Sequence, residues 1–465
     1  MNIKTRKRKT ASPLLLIMLT SSSLLKPACA LMNGAKASLR KYRQIRQRHW
    51  GDLDDLIGDL LENPPVINQS SPASKDQSSP LAAETDGWKT IDWKSVARPK
   101  ASNLTASPVD ITMILDKVIH IKRDDQMKLP GSHISGNKAR KMLSLNSLEP
   151  FPRCIVSYGG HQSNAMLALA AVVHFQNEKY GFTQDDEERR KFVYFTKNLP
   201  RFLRKQPSGN LFRAQTLGME LVELPNSEYN ELFGGDSGGS LTPPPLLNAP
   251  DPVESVWIPQ GGACGAAVAG TQQLAEEILS YWSQNGAGRP LSVVLPGGTC
   301  STAALLHWAI KNTKEFTEVK HNIQVVVIPC VGDASYARRQ MTSLYSQLEI
   351  DSDLPLILPP SSSDDLTHDY FSFGEPEFAI LETFERMRDE NNIVLDLLYG
   401  APSWSILLRH LRPGRWNKSP LFNREIMYVH SGGLEGINSQ LLRYKYKGLI
   451  DIEDIQLPGK SSPGN

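Results

Sequence analysis

The stretch LSVVLPGGTCSTAALLHWAI, residues 291–310, contains the pattern that decides the fold. A short run of aliphatic and β-branched residues ends at two glycines, and an apolar helical pattern follows. The same order of strand, glycine turn and helix recurs in SYGGHQSNAMLALAA, residues 157–171. Strands that alternate with helices favour parallel sheets, whose ligands bind outside the carboxyl ends of the strands. A site is therefore expected at the glycine-tipped strand ends.

The rest of the chain extends this α/β pattern. Further short runs predict strands: VIHIKRDD, CIVSYGG, FVYFTK, MELVELP, SVWIPQGG, IQVVVIPC, NIVLDLLYG and IMYVHSGG. Helical patterns include NAMLALAAVVHF, GTQQLAEEILSYW and STAALLHWAIKNT. Residues 225–254, which contain GGDSGGSLTPPPLLNAPDP, interrupt the alternation and predict an irregular surface insertion.

Composition limits the classes of function. The chain has 465 residues, of which 40% are hydrophobic, enough for one large core or two smaller ones. Its net charge of +2 conceals an asymmetry, because residues 1–50 hold 12 Lys or Arg and no Asp or Glu. The remaining 39 basic and 49 acidic residues give the body a charge of about −10. Such a charge argues against a nucleic-acid-binding body.

The cysteines indicate neither a disulfide framework nor a metal site. None of them forms a CxxC pair, and no zinc-binding spacing is present: they are Cys29, Cys154, Cys264, Cys300 and Cys330. The last four lie in apolar or glycine-rich runs, so they are predicted to be buried free thiols.

The first 50 residues are typical of a targeting segment. A basic start is followed by an apolar run at 14–25 and the small-residue site Ala28-Cys29-Ala30. The apolar run is too short to span a bilayer, so no stable membrane span is expected in the mature chain. The basic, acid-free residues 36–48 resemble a transit peptide, which predicts import into an organelle such as a plastid or mitochondrion. Secretion and a solvated basic tail are the alternatives. Residues 51–106, rich in Ser, Pro and Asp, predict a disordered linker.

Two glycine turns contain candidate binding groups. In LPGGTCST, residues 295–302, backbone N–H groups and the positive end of a helix dipole favour an anion, although a plain capped turn has the same features. The turn lacks the Gly-Lys-Ser/Thr ending of a nucleotide P-loop, so a phosphate monoester fits better than a triphosphate. In the other turn, Ser163 or Asn164 either caps the helix or presents polar groups to a pocket.

The segment SGNKARKML, residues 135–143, begins a predicted helix with basic residues. The positive end of the helix dipole disfavours a cation there. Lys138 therefore belongs either to a basic surface with Arg140 and Lys141 or to a functional site. A lowered pKa would favour the neutral amine, the form that attacks a carbonyl group to make a Schiff base. This segment alone leaves both interpretations open.

Taken in order, eight motifs resemble the pyridoxal-phosphate enzymes of the tryptophan-synthase-β fold, specifically the family of 1-aminocyclopropane-1-carboxylate deaminases and D-cysteine desulfhydrases. The motifs are IKRDD (121–125), GNKARKM (136–142), SYGGHQSNAMLALAA (157–171), SGNLFRAQTLGMEL (208–221), IPQGGACGAAVAG (258–270), VLPGGTCSTA (294–303), LDLLYGAPSW (395–404) and VHSGGLEG (429–436). The resemblance implies two α/β domains with open twisted parallel sheets and the cofactor in the cleft between them. Residues 107–142 and 260–458 would form the large domain, and residues 143–259 the small one.

The resemblance also implies residue roles. Lys138 would bond covalently to pyridoxal phosphate, Asn164 would bind its ring hydroxyl, and Ser163 would lie beside the carboxylate of a small amino-acid substrate. The cofactor phosphate would be held by Gly297, Gly298, Thr299, Cys300, Ser301 and Thr302. Tyr399 would lie over the substrate in an acid–base or nucleophilic role, whereas its pattern alone is that of a core tyrosine. The family commonly forms homodimers, so we expect one here.

The chain departs from the family at several positions. Gly400 stands where the deaminases have a glutamate that pairs with the pyridine nitrogen, so Ser431 is the expected partner. Because a neutral hydroxyl leaves that nitrogen less protonated, the cofactor becomes a weaker electron sink, which favours simple elimination. Phe373 replaces a second tyrosine, and the lost hydroxyl weakens ring opening. His161 replaces an apolar residue and either alters specificity or bonds to the backbone.

We therefore expect a D-cysteine desulfhydrase-like lyase that releases a 2-oxo acid, ammonia and sulfide. Deamination of 1-aminocyclopropane-1-carboxylate is the alternative. A cofactor-binding protein without turnover is a third interpretation, which the family's active-site residues in this chain argue against. The string GDSGG at 235–239 occurs around the nucleophile of chymotrypsin-like proteases, but the α/β body and the helical surroundings of His174 do not suit a protease built around Ser237.

Overall fold

The computed structural model describes residues 105–129, 134–183, 185–205, 207–234, 243–244, 254–362 and 368–451, together with residues 88, 89, 91–93 and 96. These residues belong to one compact unit, Pro80–Asn465. The predicted targeting segment, nearly all of the predicted linker, and Ser237 lie outside the described residues. Predictions about them remain predictions.

The larger sheet has six strands in the order β1-β2-β10-β7-β8-β9. Its strands are β1 (Val109–Ile114), β2 (Lys117–Lys122), β7 (Leu291–Gly297), β8 (Ile323–Pro329), β9 (Leu356–Ile357) and β10 (Glu425–Val429). Only the β1–β2 pair is antiparallel, and every other neighbouring pair is parallel. The carboxyl ends of β7 and β10 therefore lie at the same edge of the sheet.

The smaller sheet has four parallel strands in the order β5-β4-β3-β6. Its strands are β3 (Cys154–Tyr158), β4 (Lys191–Lys197), β5 (Met219–Leu224) and β6 (Ser255–Trp257). All four lie within residues 154–257, whereas the six strands of the larger sheet come from either side of that range. The proposed domain boundaries at 142/143 and 259/260 remain a prediction.

Helices connect the strands and cover the sheets. They are α1 (Gly136–Lys141), α2 (Leu143–Asn146), α3 (Asn164–Tyr180), α4 (Arg201–Lys205), α5 (Gly209–Thr216), α6 (Asn226–Phe233), α7 (Val268–Asn285), α8 (Ser301–Asn312), α9 (Thr317–Lys320), α10 (Ala334–Gln347), α11 (Phe378–Asn391), α12 (Gly400–Leu411) and α13 (Ile437–Tyr446). The three helices predicted from apolar periodicity correspond to α3, α7 and α8.

Side chains of the larger sheet contribute to a separate core on each face. In β7, Val294 packs in a cluster with residues of α11 and α12, whereas Val293 and Leu295 pack with residues of α7 and α8. This alternation follows from the period of two along a strand. Because both faces are covered, the strand reads as a continuous apolar run in the sequence.

Two predictions about local structure are wrong. The run at 392–400 forms no strand, because the carboxylate of Asp396 accepts the backbone N–H groups of 398, 399 and 400. Those groups are therefore not available to a β-ladder. The predicted irregular insertion starts as helix α6, whose Phe233 ring stacks on Tyr158 with 4.2 Å between the ring centroids. Of the residues beyond it, 235–242 and 245–253 lie outside the described part of the chain.

A buried charge cluster fixes helix α1 to the large sheet. Arg140 donates to both carboxylate oxygens of Asp124 at 2.7 and 2.8 Å, and its guanidinium also lies 2.8 Å from Glu277. Lys122 donates to the same Glu277 oxygen at 2.6 Å. Asp124 and Arg140 are each at most 1% exposed. Every charge in the cluster has an opposite partner, which is the condition for burying such groups.

Replacing Arg140 with alanine would leave Asp124 and Glu277 without their main partner in the interior. Because an uncompensated buried charge is costly, we expect the free energy of unfolding to fall by about 3–5 kcal/mol. The control is Lys179→Ala, which breaks an exposed pair of 2.7 Å with Glu149 and should change that free energy by less than about 1 kcal/mol. Denaturant titration measures both variants, and equal effects would contradict the account.

Candidate active site

Helix α1 begins against the end of strand β10. Gly136 has a φ of +66°, and a methyl group on it would lie 2.4 Å from the carbonyl oxygen of Ser431. The N–H of Asn137 donates to that same oxygen at 2.9 Å. Glycine at this position therefore permits the close approach that places α1 beside the predicted cofactor partner, Ser431. The Ser431 side chain itself is half-buried.

Lys138 extends from α1 toward the turn after β6. Its Nζ donates to the carbonyl oxygen of Gly261 at 3.3 Å, and desolvation lowers its pKa to about 8. Within the described residues it has no acidic partner. A substantial fraction of this amine is therefore neutral near pH 8, as a nucleophile or base requires.

Lys141 is a functional candidate that the sequence reasoning missed. It is 3% exposed, and its Nζ lies 3.1 Å from the same Gly261 oxygen and 2.6 Å from Oγ of Ser301. Burial first, and then the nearby Lys138 cation, lower its pKa well below the ordinary value. The spacing of Lys138 and Lys141 was the available signal, because residues three apart share one face of a helix.

The glycine-rich loop between β7 and α8 packs tightly beneath these lysines. A methyl group on Gly297 would lie 2.6 Å from Cγ2 of Val327, and one on Gly298 would lie 3.0 Å from Cε1 of Tyr399. Cys300 adopts a left-handed conformation with a φ of +54°, directly before α8. The loop therefore has a fixed shape at a helix N-terminus, where the first N–H groups lack intrahelical partners.

Hydroxyl groups line the same loop. Oγ1 of Thr299 lies 3.0 Å from Oγ of Ser301, and Thr302 exchanges hydrogen bonds of 3.0 and 3.1 Å with the side chain of Asn137. The loop and α1 are thus joined by side-chain contacts at both Lys141 and Asn137. The structure brings the predicted phosphate loop and the predicted cofactor lysine into one site.

Ser163 and Asn164 reach this site from the smaller sheet. Ser163 caps α3 by accepting from the N–H groups of Ala165 and Met166 at 3.2 and 3.3 Å, as the capping interpretation expects. Asn164 accepts from Asn210 at 2.7 Å. A methyl group on Gly433 would lie 2.8 Å from Nδ2 of Asn164. The amide of Asn164 therefore lies close to the segment that follows Ser431.

Tyr399 lies at the start of α12, where a buried carboxylate organises the turn. Asp396 is 1% exposed and accepts from the N–H groups of Leu398, Tyr399 and Gly400 at 2.9, 2.7 and 2.8 Å. Burial, and then the Asp396 carboxylate, raise the pKa of the Tyr399 phenol. The phenol therefore remains protonated at neutral pH and can donate a proton.

Phe373 and Gly400, two positions where the chain differs from the family that its motifs resemble, both adjoin Tyr399. The exposed ring of Phe373 lies 5.5 Å from the Tyr399 ring, centroid to centroid. A methyl group on Gly400 would lie 3.0 Å from Oδ2 of Asp396 and 3.2 Å from Cβ of Leu395. In this conformation, the Cβ atom of an acidic residue at position 400 would therefore lie in close contact with the carboxylate of Asp396.

The thiols and their surroundings agree with the prediction of buried free cysteines. The four cysteines in the described residues are free and buried, and burial raises the pKa of Cys264 to about 11 and that of Cys300 to about 12.

Among the residues that the structure describes, no group of three His, Cys, Asp or Glu could hold a metal ion. None of their helices has the length and apolar character needed to cross a membrane.

Comparison of the whole structure with solved structures identifies the fold. An ACC deaminase homologue is 17% identical to this chain with a TM-score of 0.50, and the match covers 73% of this chain and 94% of that one. A threonine deaminase is 15% identical with a TM-score of 0.41, covering 74% of this chain and 97% of the other. No family model and no curated protein matches the sequence. The fold expected from the motifs, a tryptophan-synthase-β-like α/β fold, is confirmed by the first of these structures.

Proposed function

We propose that this chain is a pyridoxal-phosphate-dependent lyase that converts a small amino acid to a 2-oxo acid and ammonia. Our preferred substrate is D-cysteine, from which sulfide is also released. One observation carries the proposal: two lysines, neither with an acidic partner among the residues that the structure describes, lie beside a glycine-rich loop at a helix N-terminus. Such a site provides both an anion-binding position and a neutral amine.

The residues present fit the cofactor. The buried amine of Lys141, which the negative charge of a bound phosphate would keep protonated, would hold that phosphate together with the Ser301 hydroxyl and the N-terminus of α8. Gly297 and Gly298 leave no room for side chains, since a methyl group on each would lie 3.0 Å or less from a neighbouring side chain, so the loop offers its backbone to a ligand. Lys138, three residues from Lys141, would supply the covalent bond. When bound, the cofactor withdraws the negative charge that develops at the substrate α-carbon.

The chain's own groups would move the protons. The neutral amine of Lys138 would remove the proton from the substrate α-carbon. The protonated phenol of Tyr399 would donate a proton to the departing sulfur, and its raised pKa keeps that proton available at neutral pH. Ser163 and Asn164 would orient the substrate carboxylate and the cofactor ring hydroxyl. Ser431 would contact the ring nitrogen as a neutral partner.

Two observations favour elimination over opening of a cyclopropane ring. Phe373 places a ring without a hydroxyl beside Tyr399. Position 400 has little room for a carboxylate, because Asp396 and Leu395 lie against it. A strong electron sink and a second hydroxyl are therefore both missing from the described site. These features leave ring-opening deamination as the second candidate, and a cofactor-binding protein without turnover as the third.

Rates on two substrates separate these candidates. With pyridoxal phosphate bound, we expect D-cysteine to yield sulfide and 2-oxo acid in equal amounts. We expect 1-aminocyclopropane-1-carboxylate to react at least about tenfold more slowly, since general acid–base groups typically contribute about 10²–10⁴-fold. Faster turnover of the cyclopropane substrate would favour the deaminase. Cofactor binding without turnover of either substrate would favour the non-catalytic protein.

The proposal also covers the oligomeric state and the cellular location of the protein. The resemblance to the family supports the first, and the pattern of the N-terminal residues supports the second. We propose a homodimer and import into an organelle such as a plastid or mitochondrion. We propose no nucleic-acid partner, given the charge of about −10 on residues 51–465.

A further inference from the structure

Helix α13 presents an unpaired arginine near the candidate active site. Arg443 is exposed and has no carboxylate partner within the described residues. Other arginines contrast with it, since Arg123, Arg140 and Arg289 each form an ion pair of 2.5–2.8 Å. An arginine without a partner has all its N–H donors available for an anionic ligand.

Close contacts show which way this helix face points. Ser439 and Arg443 are four residues apart, so they share one face of α13. A methyl group on Gly209 would lie 2.9 Å from Cβ of Ser439 and 2.5 Å from Oε1 of Gln162. A methyl group on Gly374 would lie 2.9 Å from Nη1 of Arg443. The face therefore lies against both the 159–164 turn and the turn that contains Phe373.

Both of those turns reach the substrate side of the site. Phe373 lies 5.5 Å from the Tyr399 ring, and the 159–164 turn ends in Ser163 and Asn164. His161, the neighbour of Gln162, is half-buried, and burial first and Arg443 second lower its pKa. Its imidazole is therefore neutral at physiological pH and carries one N–H donor.

We propose that Arg443 and His161 form a subsite for an anionic group on the side chain of the substrate. The subsite would bind small amino acids whose side chain carries a negative group: the thiolate form of D-cysteine, a carboxylate or a sulfur oxyanion. Arg443 supplies a positive charge and bidentate hydrogen bonds, and His161 supplies one further hydrogen-bond donor. This inference rests on the proposed function, because it assumes that an amino acid binds between the two turns.

D-aspartate and D-asparagine test the subsite directly, because they differ in side-chain charge at nearly the same size. Titration calorimetry of the cofactor-loaded full chain gives the Kd of each, and neither measurement depends on turnover. We expect aspartate to bind about tenfold more tightly than asparagine, which corresponds to about 1.4 kcal/mol. Arg443→Gln should bring the ratio of the two Kd values near one, and Arg443→Lys should retain part of the preference.

The ratio is taken within each protein, so a general loss of affinity cancels. Lys445→Gln is the matched control, since it removes a positive charge from the same helix two residues away and should leave the ratio unchanged. A ratio near one in the unaltered protein would overturn the subsite while leaving the proposed function intact. An unchanged ratio in Arg443→Gln, or an equal loss in Lys445→Gln, would overturn it too. Failure of every amino acid to bind would instead contradict the proposed function.

Discussion

Lys138→Ala should abolish turnover, whereas Lys141→Ala should mainly weaken the hold on the cofactor. Both amines lie against the carbonyl oxygen of Gly261, at 3.3 and 3.1 Å, but only Lys141 also contacts the phosphate-loop hydroxyl of Ser301. Burial lowers the pKa of Lys138 to about 8, so a neutral amine is available there as a nucleophile or base, and no loop hydroxyl contacts that amine within the described residues. The two lysines are therefore assigned different tasks despite their proximity.

For Lys138→Ala we expect a loss of turnover on the order of 10³-fold or more, because the covalent anchor and the base disappear together. For Lys141→Ala we expect the Kd of pyridoxal phosphate to rise roughly 10–100-fold, as loss of a charge-assisted hydrogen bond does. Steady-state kinetics at saturating cofactor and equilibrium dialysis measure the two quantities. Full activity in Lys138→Ala, or a covalent link lost only in Lys141→Ala, would contradict the assignment.

Asp396→Asn should lower turnover by acting through Tyr399. The substitution keeps the side-chain size but replaces one acceptor oxygen with an NH₂ group, so at least one of the N–H groups at 398–400 loses its partner. An unpaired buried N–H costs about 1–3 kcal/mol, and the turn that places Tyr399 against Gly298 would relax. Asp396 is therefore a positioning residue for the proposed acid.

A double-mutant cycle separates this role from general destabilisation. Tyr399→Phe alone should lower kcat by about 10²–10⁴-fold, the usual contribution of a general acid. Asp396→Asn should lower kcat about tenfold in the unaltered protein, but by less than about twofold when Tyr399 is already phenylalanine. The same tenfold fall in both backgrounds would show that Asp396 acts on stability and not through the phenol.

The sequence predicted the parts of the site that depend on local patterns. The loop at 297–302 and the turn at 159–164 lie at strand ends because a strand, a glycine turn and a helix follow one another in the chain. Within each parallel sheet, such strand ends lie at one edge. Lys138 was found by its unusual place at a helix start together with the order of eight family motifs.

Side-chain contacts that the hydrophobic pattern does not encode explain what the sequence did not predict. The run at 392–400 has the composition of a strand, but the buried Asp396 side chain accepts hydrogen bonds from backbone N–H groups of that run. Hydrophobic periodicity does not reveal this competition with strand pairing. Lys141 appeared to be part of a basic surface because its partners, Gly261 and Ser301, are distant in sequence. Arg443 lies in helix α13 and His161 in the turn before α3, so they are distant in sequence and no local pattern connects them.

The assignment of Lys138 is the central claim, and one labelling experiment tests it most directly. The full chain is loaded with pyridoxal phosphate, reduced with borohydride and digested, and the modified peptide is identified by mass spectrometry. The account predicts a reduced cofactor adduct on Lys138, with Lys141 unmodified in the same peptide region. An adduct on Lys141, or no adduct in folded protein that has bound the cofactor, would contradict it.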